Sequence, residues 1–173
     1  TFLILSLDII FEIIFGHNVF GFSGGEMIGR ISSFFGDELV AGAYYHGFVL
    51  IFLSYLINNK SSNYMIILAI FFVIVVSFLI GERSNFIKLF ISVAIFVTLV
   101  FKIDYKVKLS LLFLVLISFV TIINFNEEYK YRYYNQIKPL VSLNGYSNFI
   151  KESQYGAHRI ASYQIFKVNF YFG

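Results

Sequence analysis

Four long apolar runs constrain the fold of this chain more than any other feature of the sequence. Each has 16 to 18 residues, and they occupy about 40–57, 64–80, 86–101 and 109–125. A helix of roughly 20 apolar residues crosses a hydrocarbon core about 30 Å thick. Lipid offers no hydrogen-bond partners, so a single segment exposed to it can pair its own backbone N–H and C=O groups only as a helix. The runs therefore predict an all-α, polytopic transmembrane helix bundle, although they are rich in β-branched residues.

A fifth apolar run occupies residues 1–15 and contains two acidic residues, Asp8 and Glu12. It has no basic leading segment, so it differs from a secretory signal. We interpret it as a partial span or an interfacial helix. Because the first residue is Thr1 and not Met, we expect the chain to be a piece of a longer protein. Residues 1–125 are then the bundle, and residues 126–173 begin a large outer loop.

The composition excludes several classes of protein. Hydrophobic residues make up 58% of the chain and charged residues 13%, against about 25% charged residues in a typical soluble domain. This balance is incompatible with disorder, with a coiled coil and with almost any water-soluble enzyme. The sequence has no Cys and so no disulfide framework. A net charge of +3 is too small to indicate nucleic-acid binding.

The loops alternate between the two faces of the membrane. Residues 58–63 and 102–108 share one face, and residues 17–39, 81–85 and those after 126 share the other. The first face carries one acid and four lysines, Lys60, Lys102, Lys106 and Lys108. Basic residues in short loops mark the cytoplasmic side, so the second face is predicted to be the outer one. It holds every arginine of the chain, namely Arg30, Arg83, Arg132 and Arg159.

Three outer regions collect polar residues. The first is the outer segment, residues 17–39. This part of the sequence is too rich in glycine for a regular helix, which predicts a re-entrant or surface loop. The alternative is a flexible outer loop from which Arg30 reaches the lipid headgroups. The second is a predicted hairpin turn at residues 81–85, in which Glu82 would orient Arg83. The third, from 126, is polar and aromatic. Its predicted features are turns at Pro139 and Asn144-Gly145 and an amphipathic helix from Ala157.

Four segments in this order resemble the O-antigen ligase and O-antigen polymerase family of bacterial inner-membrane proteins. They are DIIFEIIFGHNVFGF at 8–22, GRISSFFGDELVAGA at 29–43, GERSNF at 81–86 and HRIASYQIFKVNFYFG at 158–173. The resemblance implies a metal-independent glycosyltransferase without a cofactor. It would pass a glycan from undecaprenyl diphosphate to lipid A-core, or to another carrier-linked glycan, on the periplasmic side. Its partners would be these substrates and the lipid bilayer, with no nucleic acid.

The resemblance also implies site residues. Arg30 and Arg83 match the positions that contact the donor diphosphate, and Arg159 matches a recurrent arginine before an amphipathic helix. An arginine presents a planar fork of donors that suits phosphate. The family's presumed catalytic histidine would lie beyond Gly173, so the acceptor-activating base is unknown. His158 lies upstream of that position and receives no catalytic role.

Other interpretations stay open. His17 and His46 are expected to be structural, and Asp37, Glu38 and Glu82 lack the spacing of metal ligands. A transporter or flippase for a lipid-linked glycan is one alternative function, but it predicts ionisable residues near the middle of the membrane. The four complete spans have none at their centres. A non-catalytic membrane subunit is the other alternative.

Overall fold

A computed structural model describes residues 2–23, 28–36, 38, 40–101, 103–138 and 154–168. Those residues are helical or irregular and contain no strand, which confirms the predicted all-α class. The helices are α1 (Phe2–Phe15), α2 (Ala41–Asn58), α3 (Asn63–Leu79), α4 (Arg83–Leu99), α5 (Tyr105–Phe125), α6 (Glu127–Lys130) and α7 (Gln154–Val168). A short 3₁₀ helix covers Ser33–Phe35, and a π-helical turn covers Tyr131–Asn135.

The helix boundaries follow the apolar runs closely, with one correction. The prediction placed residues 81–85 in a hairpin turn, but α4 already begins at Arg83. The reversal is completed earlier because Gly81 has a φ of 78°, a left-handed conformation that glycine adopts without steric cost. Arg83, Ser84 and Asn85 therefore lie in the first turn of a helix. This helical start fixes their directions more firmly than a loop would.

The chain divides into two units, one ending at Tyr129 and the other beginning at Lys130. In the first unit, α2, α3 and α4 pack against one another, α5 packs on α3, and α1 packs on α2 and α3. The core is built from apolar side chains of α1 to α4, including Ile9, Tyr45, Val49, Leu53, Ile70, Val73, Leu89 and Val93. The single buried side chain of α5 is Val115.

Two of the described helices, α2 and α5, are long and apolar enough to cross a membrane, and α3 is a shorter apolar helix. Only 6% of the apolar window of α5 is buried within the protein. Its large side chains, such as Leu109, Phe113 and Leu116, are exposed. Contiguous apolar surface of this kind marks an interaction with membrane or protein. By length and composition, then, two helices are able to span a membrane.

The second unit contains the π-helical turn and α7 among its described residues. Helix α7 begins at Gln154, three residues before the predicted start at Ala157, so the predicted helix is confirmed. Its apolar positions Ile160, Tyr163 and Phe166 are exposed. The turns predicted at Pro139 and Asn144-Gly145 lie outside the described residues.

Candidate functional site

Polar contacts join several segments at one end of the first unit. The Ile31 N–H donates to the Ile80 carbonyl oxygen at 3.1 Å. The Tyr129 hydroxyl donates to the Leu79 carbonyl oxygen at 2.5 Å. These bonds place the outer segment, the turn between α3 and α4, and the start of α6 together. The outer segment, the turn between α3 and α4, and residues 126–129 therefore meet at one end of the first unit.

An ion pair between Arg30 and Glu82 lies at the centre of this end. The Arg30 Nη2 atom is 3.2 Å from Glu82 Oε1, and the side chains are 19% and 7% exposed. Glu82 Oε1 also accepts the Gly42 N–H at 3.2 Å, and Oε2 accepts the Asn85 side-chain amide. One carboxylate thus links the outer segment to the first turns of α2 and α4. The sequence predicted that Glu82 would orient Arg83; the structure pairs it with Arg30.

Gly42 makes this arrangement possible because it leaves room for the carboxylate. A Cβ atom at position 42 would lie 2.8 Å from Glu82 Cδ and 2.9 Å from Glu82 Cβ. Contacts this short require an atom to move, and Glu82 is held by three partners. Sequence reasoning missed this role of Gly42. The available signal was the small-residue run Ala41-Gly42-Ala43 at the start of an apolar span.

Two buried carboxylates on α1 hold the outer segment from the other side. Asp8 and Glu12 lie one turn apart on the same helix face and are 2% and 3% exposed. Glu12 Oε2 accepts the Ser33 N–H at 2.6 Å, and Oε1 accepts the N–H and hydroxyl of Ser32 at 3.2 and 3.3 Å. Asp8 accepts the Ser33 hydroxyl at 2.5 Å and the Val19 N–H at 3.0 Å. The acids therefore satisfy backbone donors of a segment that lies outside the α-helices.

Asn18 completes the network inside the outer segment. Its side-chain carbonyl oxygen accepts the N–H groups of Phe20 and Phe22, both at 2.9 Å. Its amide donates to the Ser33 carbonyl oxygen. The described parts of the outer segment are thus held by buried polar side chains. This differs from the alternative of a flexible loop that contacts only headgroups.

A cavity of about 540 Å³ opens beside this network. Its charged lining residues are Arg30, Glu12, Glu127 and Glu128. The cavity is also lined by Ile13, Gly16, Ser23, Ile28, Gly29, Ile31, Phe125, Asn126 and Tyr129. A guanidinium suits phosphate or carboxylate oxygens, whereas carboxylates accept hydrogen bonds from hydroxyl groups. The cavity therefore combines groups suited to an anion with groups suited to a polyhydroxyl ligand.

The three predicted donor-binding arginines have different positions. Arg30 lines the cavity. Arg83 is half-buried and is the first residue of α4, at the same end of the bundle. Arg159 is exposed on α7 in the second unit. The structure places Arg30 and Arg83 at one end, and the role of Arg159 stays a prediction.

Two of the three histidines contact neighbouring side chains. His17 lies against the ring of Phe11 with centroids 5.8 Å apart. The His46 Nε2 atom is 3.5 Å from the Ser92 hydroxyl oxygen, a contact between α2 and α4. His158 is exposed on α7.

The acidic residues Glu38 and Glu82 do not form a metal site among the described residues. Glu38 is exposed, Glu82 is occupied by its three donors, and Asp37 lies outside the described residues. No group of three His, Cys, Asp or Glu side chains with metal-binding geometry occurs in the part of the chain that the structure describes.

Comparison of the chain with protein-family models, with curated proteins and with solved structures found no match. The resemblance to the O-antigen ligase and polymerase family therefore stays a prediction from the four quoted sequence segments.

Proposed function

We propose that the chain belongs to a polytopic inner-membrane glycosyltransferase of the O-antigen ligase or polymerase type. In this proposal α2, α3, α4 and α5 each cross the membrane. They have 17 to 21 residues, and at a rise of about 1.5 Å per residue each is about 25 Å long or more. Tilt and local thinning accommodate the difference from a 30 Å core. The end that holds Arg30 faces the periplasm because the opposite loops carry the lysine excess.

Cysteine labelling tests this topology, because the sequence has no Cys and an introduced one is the sole target within these residues. Glu38 and Asn59 are both exposed and lie in loops at opposite ends of the bundle. In spheroplasts, a membrane-impermeant maleimide is expected to label a Glu38→Cys variant and to leave an Asn59→Cys variant unlabelled. Permeabilised cells, in which both variants react, are the control. Labelling of Asn59→Cys alone in intact spheroplasts would reverse the orientation and reject the proposal.

The donor diphosphate is proposed to bind at Arg30. A diphosphate leaving group is weakly basic, so it needs neutralisation of its charge more than it needs a proton. A guanidinium that is already held in position supplies this without reorganisation during the reaction. The ion pair with Glu82 provides that position, and the cavity lined by Arg30 provides space. This fixed arginine in a polar cavity is the observation that carries the proposal.

The glycan of the donor is proposed to occupy the remainder of the same cavity. Glu127 and Glu128 line it and accept hydrogen bonds from sugar hydroxyls without repelling a neutral ring. Tyr129 and Phe125 add aromatic surface on the same side. Arg83, at the same end, is proposed to extend the contact with the diphosphate.

An Arg30→Ala substitution tests the donor site directly. Removing one preorganised donor of transition-state charge typically costs 100-fold or more in rate. We therefore expect glycan transfer in membranes to fall by about 100-fold. Arg30→Lys, which keeps the charge but not the planar fork, is expected to recover only part of the activity.

Lys88→Ala is the matched control, since Lys88 is an exposed cation near the same end of α4. Activity of this variant is expected to equal that of the wild type. Undiminished transfer by Arg30→Ala, at normal protein levels, would contradict the proposed function.

A transporter of lipid-linked glycans is the second candidate, and the buried Asp8 and Glu12 on α1 are the observation in its favour. Ionisable residues inside membrane segments often mark ion pathways. Here both carboxylates accept hydrogen bonds from backbone or hydroxyl groups of the outer segment. That role as structural anchors accounts for their burial, so the geometry supports the transferase better.

A further inference from the structure

A second cavity, which we call the crevice, has a volume of about 240 Å³. It lies between α3, α4 and α5, towards the end of the bundle opposite Arg30. Apolar side chains from all three helices line it, among them Ile74, Val93 and Leu112. The Thr98 hydroxyl also borders it but donates to the carbonyl oxygens of its own helix at 2.9 Å. Its single O–H donor is therefore already used. Apart from Lys108 and Thr98, the lining is apolar.

Lys108 gives this crevice a charged end. It lines the crevice, lies in the first turns of α5 and is half-buried. Among the described residues, no carboxylate lies within ion-pair distance of its ammonium group. The surrounding sequence, with Lys102 and Lys106 against Asp104, carries a net positive charge. Long basic side chains near helix ends extend to the membrane interface in this way.

We propose that this crevice binds one anionic phospholipid of the phosphatidylglycerol type. The acyl chain lies along the apolar lining, and the phosphate pairs with Lys108. This inference rests on the membrane bundle proposed above, and it concerns the opposite face from the donor site. The shape favours a chain over a partner helix, because a helix with its side chains is about 10 Å across and the crevice is only about 240 Å³. The unpaired positive charge at its end selects an anionic headgroup over a zwitterionic one.

Native mass spectrometry of the protein purified from membranes tests this site. The wild-type protein is expected to retain phosphatidylglycerol in preference to phosphatidylcholine. A lysine near the surface contributes an attraction that corresponds to about a fivefold change in binding. Lys108→Gln is thus expected to weaken retention of phosphatidylglycerol about fivefold relative to phosphatidylcholine. Ala94→Phe, at an exposed crevice position of α4, is expected to fill the space and displace both lipids.

Two neighbouring variants serve as controls. Lys106 is exposed two positions away, and Ile95 is exposed beside Ala94; Lys106→Gln and Ile95→Phe are expected to retain wild-type lipid binding. The proposed lipid site would be overturned if Lys106→Gln lost as much phosphatidylglycerol as Lys108→Gln. Unchanged lipid binding in both Lys108→Gln and Ala94→Phe would also overturn it. So would binding of free glycerol phosphate to Lys108 as tight as that of the whole lipid. Loss of the protein from the membrane fraction would instead reject the transmembrane bundle proposed above. Failure of the lipid site and failure of the proposed function are therefore distinguishable.

Discussion

Replacing Gly42 by alanine is expected to destabilise the first unit by about 1–3 kcal/mol, the usual cost of an extra methyl group in a tightly packed site. The new Cβ would lie 2.8 Å from Glu82 Cδ and Oε2. To relieve this clash the Glu82 side chain must leave its bonds to Arg30, Asn85 and the Gly42 N–H. The measurement is thermal unfolding in detergent, compared with the wild-type midpoint.

Gly47→Ala is the matched control on the same helix. A Cβ at position 47 meets no atom within 4 Å, and alanine favours helix over glycine by about 1 kcal/mol. This variant is expected to be as stable as the wild type or slightly more stable. If Gly42→Ala unfolds at the same temperature as Gly47→Ala, the Glu82 carboxylate is not confined as the distances indicate.

Replacing Glu12 by leucine is expected to have a still larger effect on stability. The Ser32 and Ser33 N–H groups would lose the carboxylate that accepts them at 3.2 and 2.6 Å. Each buried donor left without an acceptor costs about 1–3 kcal/mol, so we expect a total loss of about 2–6 kcal/mol. Denaturant titration of the detergent-solubilised protein measures this loss.

Two further variants make the Glu12 result interpretable. Glu12→Gln keeps one acceptor oxygen and is expected to fall between the wild type and Glu12→Leu. Glu38→Gln removes an exposed carboxylate and is expected to change stability by no more than about 0.5 kcal/mol. A Glu12→Leu protein as stable as Glu38→Gln would show that the outer segment finds other acceptors.

The helices could be predicted from the sequence because their signal is local. The bounds of the apolar runs predicted the ends of α2, α3 and α5 to within four residues. The start of α4 was missed because it depends on Gly81 reversing the chain in so few residues. A polar pentapeptide between two apolar runs is equally compatible with a loop and with a first helical turn.

The candidate site was less predictable because its bonds join distant residues. Asp8 and Glu12, one turn apart in an apolar helix, were a visible signal of a buried polar partner. That partner is largely backbone N–H, which every residue except proline carries, so no residue type identifies it in a sequence. Ser33 also has a φ of 52°, a left-handed conformation that is uncommon outside glycine. Nothing in its sequence context indicates this.

The pairing of Arg30 with Glu82 was likewise unpredictable, although both residues belong to segments quoted for the family resemblance. The sequence suggested that Glu82 would act on its neighbour Arg83. Contact between the outer segment and the turn after α3 depends on how the outer segment crosses the end of the bundle. The Ile31–Ile80 hydrogen bond fixes that crossing.

The anchoring of residues 30–33 to two different parts of the bundle has an energetic consequence for any ligand. Arg30 is tied to Glu82, while Ser32 and Ser33 are tied to Glu12. Immobilising a rotamer-rich side chain at the moment of encounter costs about 0.5–1.5 kcal/mol. In this protein that ordering takes place during folding, so the anion proposed to bind at Arg30 would meet a guanidinium whose orientational entropy has already been lost.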